Sequence, residues 1–451
     1  MAAEGSLGGV ATLVPSPDTD AAEVVIGLQQ RFAASGMELP IRLWDGRALG
    51  PSDAGFRLVL HHPWSLRALL VPPTDLQAGE TYLAGAVDVE GSMVAALREL
   101  RRFRDGLTTR GKLSLARSLL SMPRPPQRSV DGRVRLRGRR HSQGRDAAAI
   151  RHHYDVGDEL YHRFLDEDLV YSCAYFAESD REAPVTDRSV LDRAQRRKLE
   201  LVCRKLRLRP GERLLDVGCG WGSLAIHAAR YHDVEVVGVT LSKNQAATAR
   251  ERVAAAGLAD RVRIELTDYR DVTDRFDAIA SIGMVEHVGA EQLAAYVAHL
   301  YDRLEEGGRL LNHGITTGQR NVVTDLAASP DSFIGRYVFP DGALVPAHQM
   351  VSLFEQGGFE IRDVEQLRPH YARTLQHWVA NIEVDYDASV EVVGAMTARV
   401  WRAYMAGSSV GFETGDLGVV QILATRGLAS LPFDREHLAD LGDGRGPSNR
   451  S

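Results

Sequence analysis

A predicted buried strand that runs into three alternating glycines constrains the fold more than any other feature of this chain. In RLLDVGCGWG, Arg213 to Gly222, the apolar residues predict a parallel strand, and the glycines predict a tight turn into a helix that begins near Ser223. Glycine has no Cβ and lets backbone approach a ligand closely, and Trp221 would add an aromatic wall. The pattern predicts either a nucleotide-type site or a tight structural turn with a core tryptophan.

The residues after this turn narrow the choice of nucleotide. A second strand is predicted from Val234 to Ser242, at the spacing that a strand–helix–strand unit requires. A dinucleotide site would place Asp or Glu at the end of this strand. This chain instead has Thr240 and Leu241 there, with Gln245 opening the next helix. The sequence therefore disfavours NAD.

Four linked motifs resemble those of the cyclopropane fatty acid synthase family. They are VGCGWG, GVTLSKNQ, DYRD and SIGMVEHVG, and the match runs from about Ile150 to Gly427. That family adds a one-carbon unit from S-adenosylmethionine to a cis double bond of a phospholipid acyl chain. The resemblance implies a Rossmann-like class I methyltransferase fold, an α/β sheet with helices on both faces. It also implies S-adenosylmethionine-dependent C-methyltransferase activity.

The resemblance further implies which residues contact the donor. S-adenosylmethionine would lie at the glycine turn and along the carboxyl ends of the first four strands, the third of which is predicted from Val262 to Leu266. The residues carried over are Tyr171, Ser172, Gly218, Gly220, Trp221, Thr240, Leu241, Gln245, Asp268, Tyr269 and Ile282.

The chemistry needs a base as well as a donor. An isolated alkene is a weak nucleophile, so it must meet the activated methyl group in line, in a dry apolar channel. In this family the base is thought to be a bound bicarbonate ion. The resemblance implies a cage formed by Cys173, Glu286, His313, the backbone of Ile315, and Tyr371. Imidazole, phenol and backbone N–H groups can donate to an anion, whereas Glu286 would accept. The alternative is that Glu286 and His313 form ordinary buried hydrogen bonds.

One departure from the family pattern leaves the product open. On the predicted fifth strand, Gly307 to Thr317, the family usually has Leu-Leu-His-Thr-Ile, whereas this chain reads Leu-Asn-His-Gly-Ile from Leu311 to Ile315. Because glycine permits a different backbone path at position 314, the fit of the anion could change. The product is then either a cyclopropane or a 10-methylene stearoyl chain, as in some actinobacterial relatives, and a reductase partner could act on the latter. A methyltransferase for a small polar acceptor and a non-catalytic lipid-binding relative are the other interpretations.

The chain is predicted to contain five segments. These are a frayed N-terminus (1–20), a small α+β domain (21–122), a linker (123–147), the catalytic domain (148–430) and a disordered tail (431–451). The small domain loosely resembles the N-terminal module of longer cyclopropane synthases, and would present lipid, form a homodimer or cap the fold. Helices at the end of the catalytic domain are predicted to carry WRAYM and GFETGDLGVVQILATRG.

Basic charge is concentrated around the linker. Between Arg98 and Arg145 there are fifteen Lys or Arg and three Asp or Glu, a net charge of +12 in a chain whose total is -6. The stretch lacks a zinc finger, an RNA-binding signature and interleaved aromatics, which disfavours nucleic acid as a partner. The remaining interpretations are a plain linker and a linker whose Arg137, Arg139 and Arg140 contact anionic lipid headgroups.

The sequence predicts a cytoplasmic enzyme that is peripheral to the inner face of the membrane. No stretch approaches the about 18 apolar residues of a membrane span, and MAAEGSLGGV at the start lacks the pattern of a signal peptide. Cys173, Cys203 and Cys219 are odd in number and lack metal-ligand spacing. Neither a disulfide framework nor a zinc site is therefore predicted.

Overall fold

The computed structural model describes most of the chain, in two units. The described residues are 17–33, 36–126, 144–146, 148, 157–319, 329, 331–428, 435–438, 441–444 and 446. The predicted frayed N-terminus up to residue 16, most of the basic linker with Arg137, Arg139 and Arg140, and most of the predicted tail lie outside them. Contacts divide the chain into Met1–Gly91 with Arg98–Val130, and Ser92–Leu97 with Asp131–Ser451.

The first unit is built on a small sheet. Its strands are β1 (Ile41–Arg42), β2 (Ala48–Leu49), β3 (Phe56–Leu60) and β4 (Val87–Gly91), in the order β2-β1-β3-β4. The helices in this part of the chain are α1 (Pro17–Ala33), α2 (Ser65–Leu70), α3 (Asp75–Leu83), α4 (Met93–Gly106) and α5 (Thr109–Ser121). Helix α1 begins at Pro17, so its first turn lies within the segment 1–20 that was predicted to be frayed.

A seven-stranded sheet forms the centre of the second unit. Its strands are β5 (Arg213–Val217), β6 (Glu235–Thr240), β7 (Val262–Leu266), β8 (Phe276–Ile282), β9 (Leu304–Thr317), β10 (Phe359–Gln366) and β11 (Leu417–Arg426). The order is β10-β11-β9-β8-β5-β6-β7. Strands β5 to β9 pair in parallel, whereas β11 lies antiparallel between β9 and β10. The predicted Rossmann-like sheet is confirmed. The prediction that helices carry GDLGVVQILATRG is wrong, because most of this run forms β11.

Helices cover both faces of this sheet. They are α6 (Asp158–Phe164), α7 (Arg188–Leu206), α8 (Ser223–His232), α9 (Lys243–Ala255), α10 (Val285–Val288), α11 (Leu293–Asp302), α12 (Phe333–Tyr337), α13 (Ala347–Gln356), α14 (Arg368–Val384) and α15 (Tyr386–Thr414). Leu214 packs into a core with α7 and α8, and its neighbour Leu215 into a second core with α11 and α13. Successive strand residues point to opposite faces, so both faces are buried. Within the described part of the chain, every helix is too short or too polar to cross a bilayer.

The glycine turn after β5 has the backbone that the sequence predicted. Gly218, Gly220 and Gly222 have φ values of 77°, 54° and 81°. Other residues rarely adopt such angles. A Cβ added at Gly218 would also lie 2.5 Å from Met284 Cγ. Glycine here therefore lets the chain after β8 pack directly against the turn.

Candidate active site

A cleft opens at the carboxyl edge of β5, β6 and β8. This is the edge at which open α/β sheets bind their ligands. Ten of the eleven residues predicted to contact the donor line the cleft: Tyr171, Ser172, Gly218, Gly220, Trp221, Thr240, Leu241, Gln245, Tyr269 and Ile282. Asp268 lines a neighbouring cavity instead, and its carboxylate accepts hydrogen bonds from Arg270 at 2.7 and 2.8 Å.

The end of β6 presents neutral polar groups to the cleft. Thr240 Oγ1 donates to Gln245 Oε1 at 2.9 Å. Ser242 caps α9, because its Oγ accepts from the Gln245 backbone N–H at 3.2 Å. The position that carries a ribose-binding acid in dinucleotide sites therefore offers a hydroxyl and an amide.

Trp221 is fixed by contacts with α6. The indole is almost fully buried, its Nε1 donates to Asp158 Oδ1 at 3.3 Å, and its ring centroid lies 4.7 Å from that of Tyr161. Asp158 Oδ2 accepts from Thr248 Oγ1 at 2.6 Å, which joins α6 to α9. The aromatic wall of the cleft is thus held by a carboxylate behind it.

Two buried ionisable groups that sequence reasoning missed also line the cleft. Lys198 on α7 donates from Nζ to Ser172 Oγ at 2.9 Å, and burial lowers the pKa of its ammonium to about 8. Burial raises the pKa of Asp216 at the end of β5 to about 7. Its Oδ2 atom is buried without a hydrogen-bond partner among the described residues. Gln195, one turn before Lys198 on the same helix, donates to Ser172 O at 2.9 Å. The three-residue spacing of Gln195 and Lys198 places both side chains on one face of the helix, and this is the signal that could have identified Lys198.

Glu286 on α10 contacts one of the other predicted catalytic residues directly. Its Oε1 accepts from the Ile315 backbone N–H at 2.7 Å. The residue is partly exposed, but Oε2 is buried and has no hydrogen-bond partner in the described chain. Burial raises the pKa of the carboxyl to about 7, although the Ile315 hydrogen bond opposes this shift. The Ile315 N–H, expected to hold an anion, is therefore already bonded to Glu286.

His313 lies on β9 with its tautomer set by β11. Nδ1 is 3.2 Å from Gln421 Nε2, and with the Gln421 amide assigned in this orientation Nδ1 accepts and the ring proton lies on Nε2. The Nε2 atom is buried and has no partner within the described residues. Burial is the main cause that lowers the pKa of the imidazole to about 3, and repulsion from Lys198 and Lys205 lowers it further. The ring is a neutral donor with one unused N–H group.

Cys173 and Tyr371 approach this region through Leu367, which precedes α14. Cys173 Sγ lies 3.8 Å from Leu367 O. The Leu367 N–H donates to Val419 O at 2.8 Å, and Val419 on β11 lies opposite Ile315 on β9. The Tyr371 N–H donates to Leu367 O at 3.1 Å. Burial raises the pKa of the Cys173 thiol far above its ordinary value, so the group stays protonated. The structure thus places Glu286 and Ile315 in contact, and joins Cys173 and Tyr371 to them indirectly.

The Asn-His-Gly departure does not bend β9. Gly314 keeps its register opposite Val420, so the strand does not take the different backbone path that glycine permits here. A Cβ added there would come within 3.0 Å of Val285 Cγ1. Asn312 lies on the same face of β9 as Gly314, and its Oδ1 accepts from the Tyr296 hydroxyl at 2.9 Å. The glycine makes room for Val285, which is next to Glu286 in the chain.

The three cysteines are free and buried. Cys203 Sγ and ring nitrogens of His227 and His232 lie within 4.8 Å of one another, a grouping that their spacing did not predict. Both rings contact Glu200 Oε2 at 3.1 Å. The group is therefore a satisfied buried polar network.

Comparisons with known proteins agree on one family. Residues 141–422 match the family model of mycolic acid cyclopropane synthetase. A protein named probable fatty acid methyltransferase from Pseudomonas putida is 39% identical over 90% of this chain and 98% of its own length. The tuberculostearic acid methyltransferase UfaA1 of Mycobacterium tuberculosis is 33% identical over 85% of this chain and 87% of its length.

Solved structures support the same assignment. Mycolic acid cyclopropane synthase CmaA1, solved in complex with SAH and CTAB, superposes with a TM-score of 0.56 at 31% identity. The superposition covers 62% of this chain and 98% of CmaA1. The resemblance seen in the four motifs is thus confirmed over more than half of the sequence. The chain belongs to the mycolic acid cyclopropane synthetase family, and it is an S-adenosylmethionine-dependent methyltransferase of class I fold.

Proposed function

We propose that this enzyme transfers a one-carbon unit from S-adenosylmethionine to the cis double bond of an unsaturated acyl chain in a membrane phospholipid. The observation that carries the proposal is a wall of aromatic side chains beside the cleft. Tyr171 lines the cleft, stacks on Trp378 at 5.1 Å between ring centroids, and lies 6.1 Å from Trp401. Such a wall suits an apolar acceptor and keeps water from the reaction. It disfavours a small polar acceptor.

The cleft also suits the methionine end of the donor, which carries one ammonium and one carboxylate group. Lys198 would face the carboxylate, and Asp216, whose Oδ2 has no partner among the described residues, would face the ammonium. Opposite charges are worth most where water is excluded. The complex of CmaA1 with SAH, the form of the donor that remains after methyl transfer, supports this use of the cleft.

A bicarbonate ion held near Glu286 and His313 is our proposal for the base. The unused Nε2–H of His313 can donate to an anion, and the raised pKa of Glu286 suits a carboxyl that shares a proton with it. The alkene electrons would form the new carbon–carbon bond while the carbon–sulfur bond breaks and leaves its electron pair on sulfur. The bound base would then take one proton from the resulting cation.

We further propose a methylene-branched product, reached when a hydride shifts before a proton leaves the new methyl group. The two relatives that cover 90% and 85% of this chain are named for fatty acid methylation. The match to the cyclopropane synthase CmaA1 covers only 62% of this chain. A cyclopropane is the second candidate, favoured by the description of the matching family. A reductase partner would be needed to convert the methylene group to a methyl branch.

We also propose that the enzyme forms a homodimer and that the linker arginines contact anionic lipid.

Mass spectrometry of the acyl chains tests this function. The enzyme is incubated with methyl-labelled S-adenosylmethionine and oleoyl phospholipid, and the released acyl chains are analysed. We expect label in the acyl chain. Among the labelled acyl chains, hydrogenation under conditions that spare cyclopropanes should change the mass of a methylene product and leave that of a cyclopropane product unchanged. Unlabelled acyl chains together with methylation of a small polar compound would overturn the proposal.

Replacement of Glu286 tests the proposed base site. Glu286→Gln should bind the donor and lose turnover, because the amide cannot share a proton with the anion. Glu291→Gln is the matched control, since Glu291 is exposed in the same segment. Normal turnover by Glu286→Gln would remove this residue from the chemistry.

A further inference from the structure

Helix α5 of the first unit presents leucines and arginines on one exposed face. Arg110, Leu113, Arg117 and Leu120 fall on a single side of the helix at about 100° per residue. Leu113 and Leu120 are 54% and 57% exposed, and at this spacing they lie within about 20° of each other. Both arginines lie on one side of this pair, about 40–80° around the helix, and Lys112 lies on the other side, about 80–100° away, so the apolar stripe has basic residues on each side.

The opposite side of α5 is anchored in the same unit. Arg31 on α1 donates to Ser114 Oγ at 3.1 Å and to Ser118 Oγ at 3.0 Å. Leu119 is buried with 2% exposure. These contacts determine the rotation of α5 about its axis, so the leucines are held outward.

The charge on this face is unbalanced. Helix α5 carries Arg110, Lys112 and Arg117 and no Asp or Glu. On the preceding helix α4, by contrast, Arg102 pairs with Glu99 at 2.9 Å and Arg104 lies 3.1 Å from Asp105. A partner that covers the α5 face must therefore supply negative charge together with apolar surface.

We propose that this α5 face docks the enzyme on an anionic bilayer surface. The two leucines would enter the boundary between headgroups and acyl chains, while the three basic side chains contact anionic headgroups. The inference rests on the proposed function, since an acyl chain in a membrane can be reached only from its surface. A second copy of the chain is a poorer occupant, because a symmetric contact would bring identical basic faces together.

Vesicle binding tests the proposal. The full chain is co-sedimented with phosphatidylcholine vesicles that contain about one third phosphatidylglycerol, and with pure phosphatidylcholine vesicles. Arg110→Gln/Arg117→Gln should weaken binding to the anionic vesicles roughly 30-fold. Leu113→Ser/Leu120→Ser should weaken it roughly tenfold or more. Salt should weaken wild-type binding and matter less for the arginine variant.

Matched controls distinguish binding by this surface from non-specific electrostatic and hydrophobic binding to vesicles. Arg102→Gln/Arg104→Gln removes the same charge from exposed side chains on α4. Val384→Ser/Leu428→Ser removes exposed apolar groups in the second unit. Both controls should bind vesicles like the wild type. Circular dichroism and thermal unfolding identify any variant that fails to fold.

The outcomes distinguish this inference from the proposed function. Binding lost in the α5 variants but retained in the controls supports the docking surface, whether or not acyl chains become methylated. Methylation of phospholipid with unchanged binding by both α5 variants would overturn the docking surface and leave the proposed function standing. A shift from dimer to monomer in sedimentation velocity, with vesicle binding unchanged, would assign the face to a second copy and also overturn it.

Discussion

Replacing Gly314 by Ala should disturb catalysis through Val285. The added Cβ would lie closer than 3.0 Å to Val285 Cγ1, whereas carbon atoms in contact are about 3.5–4.0 Å apart. The two groups must therefore separate by roughly 1 Å. Strand β9 is paired on both sides, with β8 and β11. We expect the short helix α10, which carries Glu286, to move instead.

The size of the effect follows from these contacts. Overpacking of this kind costs about 1–3 kcal/mol of unfolding free energy. A shift of α10 would also lengthen the 2.7 Å hydrogen bond between the Ile315 N–H and Glu286. Misplacement of a reacting group by about 1 Å costs roughly 100-fold in rate, so turnover should fall by about that factor. Donor affinity should stay near that of the wild type.

Turnover at saturating donor, donor affinity by calorimetry and thermal unfolding are the measurements. Gly407→Ala is the control, because a Cβ there meets nothing within 4 Å. Val285→Ala removes the methyl group that clashes, so adding it to Gly314→Ala should restore much of the lost turnover. Full activity of Gly314→Ala would refute the reasoning. A loss that Val285→Ala fails to relieve would do the same, since the clash is then not its cause.

Three further predictions concern the ionisable groups. Glu286 keeps its proton up to about pH 7 when folded but only to about 4.5 when unfolded, so stability should fall as pH rises through this window. Glu286→Gln should flatten that dependence in urea unfolding at pH 5 and 8, and an unchanged slope would contradict the assignment. Lys198→Met should raise the donor dissociation constant roughly 10- to 100-fold by calorimetry, and wild-type affinity would exclude Lys198 from binding. Affinity for S-adenosylmethionine should rise with pH through about 7 as Asp216 ionises and attracts the donor ammonium group, and Asp216→Asn should remove this rise; an unchanged pH dependence in Asp216→Asn would refute this.

The parallel half of the sheet could be predicted because its signals are local. The third strand was predicted from Val262 to Leu266 and has those bounds in the structure. The glycines after β5 mark a turn that only they adopt easily, and their φ values are all positive. By contrast, the run that became β11 is mostly apolar, from Val419 to Ala424 with Gln421 as its one polar residue. Its periodicity fits a buried helix as well as a buried strand, so only its pairing with β9 and β10 decides.

The parts of the site that escaped prediction depend on contacts between distant segments. The tautomer of His313 is set by Gln421, which lies on the strand that sequence reasoning had assigned to helices. The sequence showed only that Gly314 permits a different backbone path, whereas in the structure the missing side chain leaves space for Val285 on a different element. Neither relation leaves a periodic signal in the sequence, because each joins two elements only through the fold.

The ionisable groups around the cleft share one electrostatic property. Burial moves the pKa of Asp216 and Glu286 up to about 7, and moves that of Lys198 down to about 8 and that of His313 to about 3. Each shift favours the neutral form, which reduces the charge on the two carboxyls and on His313 in a dry region, whereas Lys198, with a pKa of about 8, is still mostly protonated at pH 7. A sulfonium donor brings positive charge into that region and favours ionised carboxyls. The buried acids would thus become charged when the donor is present, which couples binding to the preparation of the site.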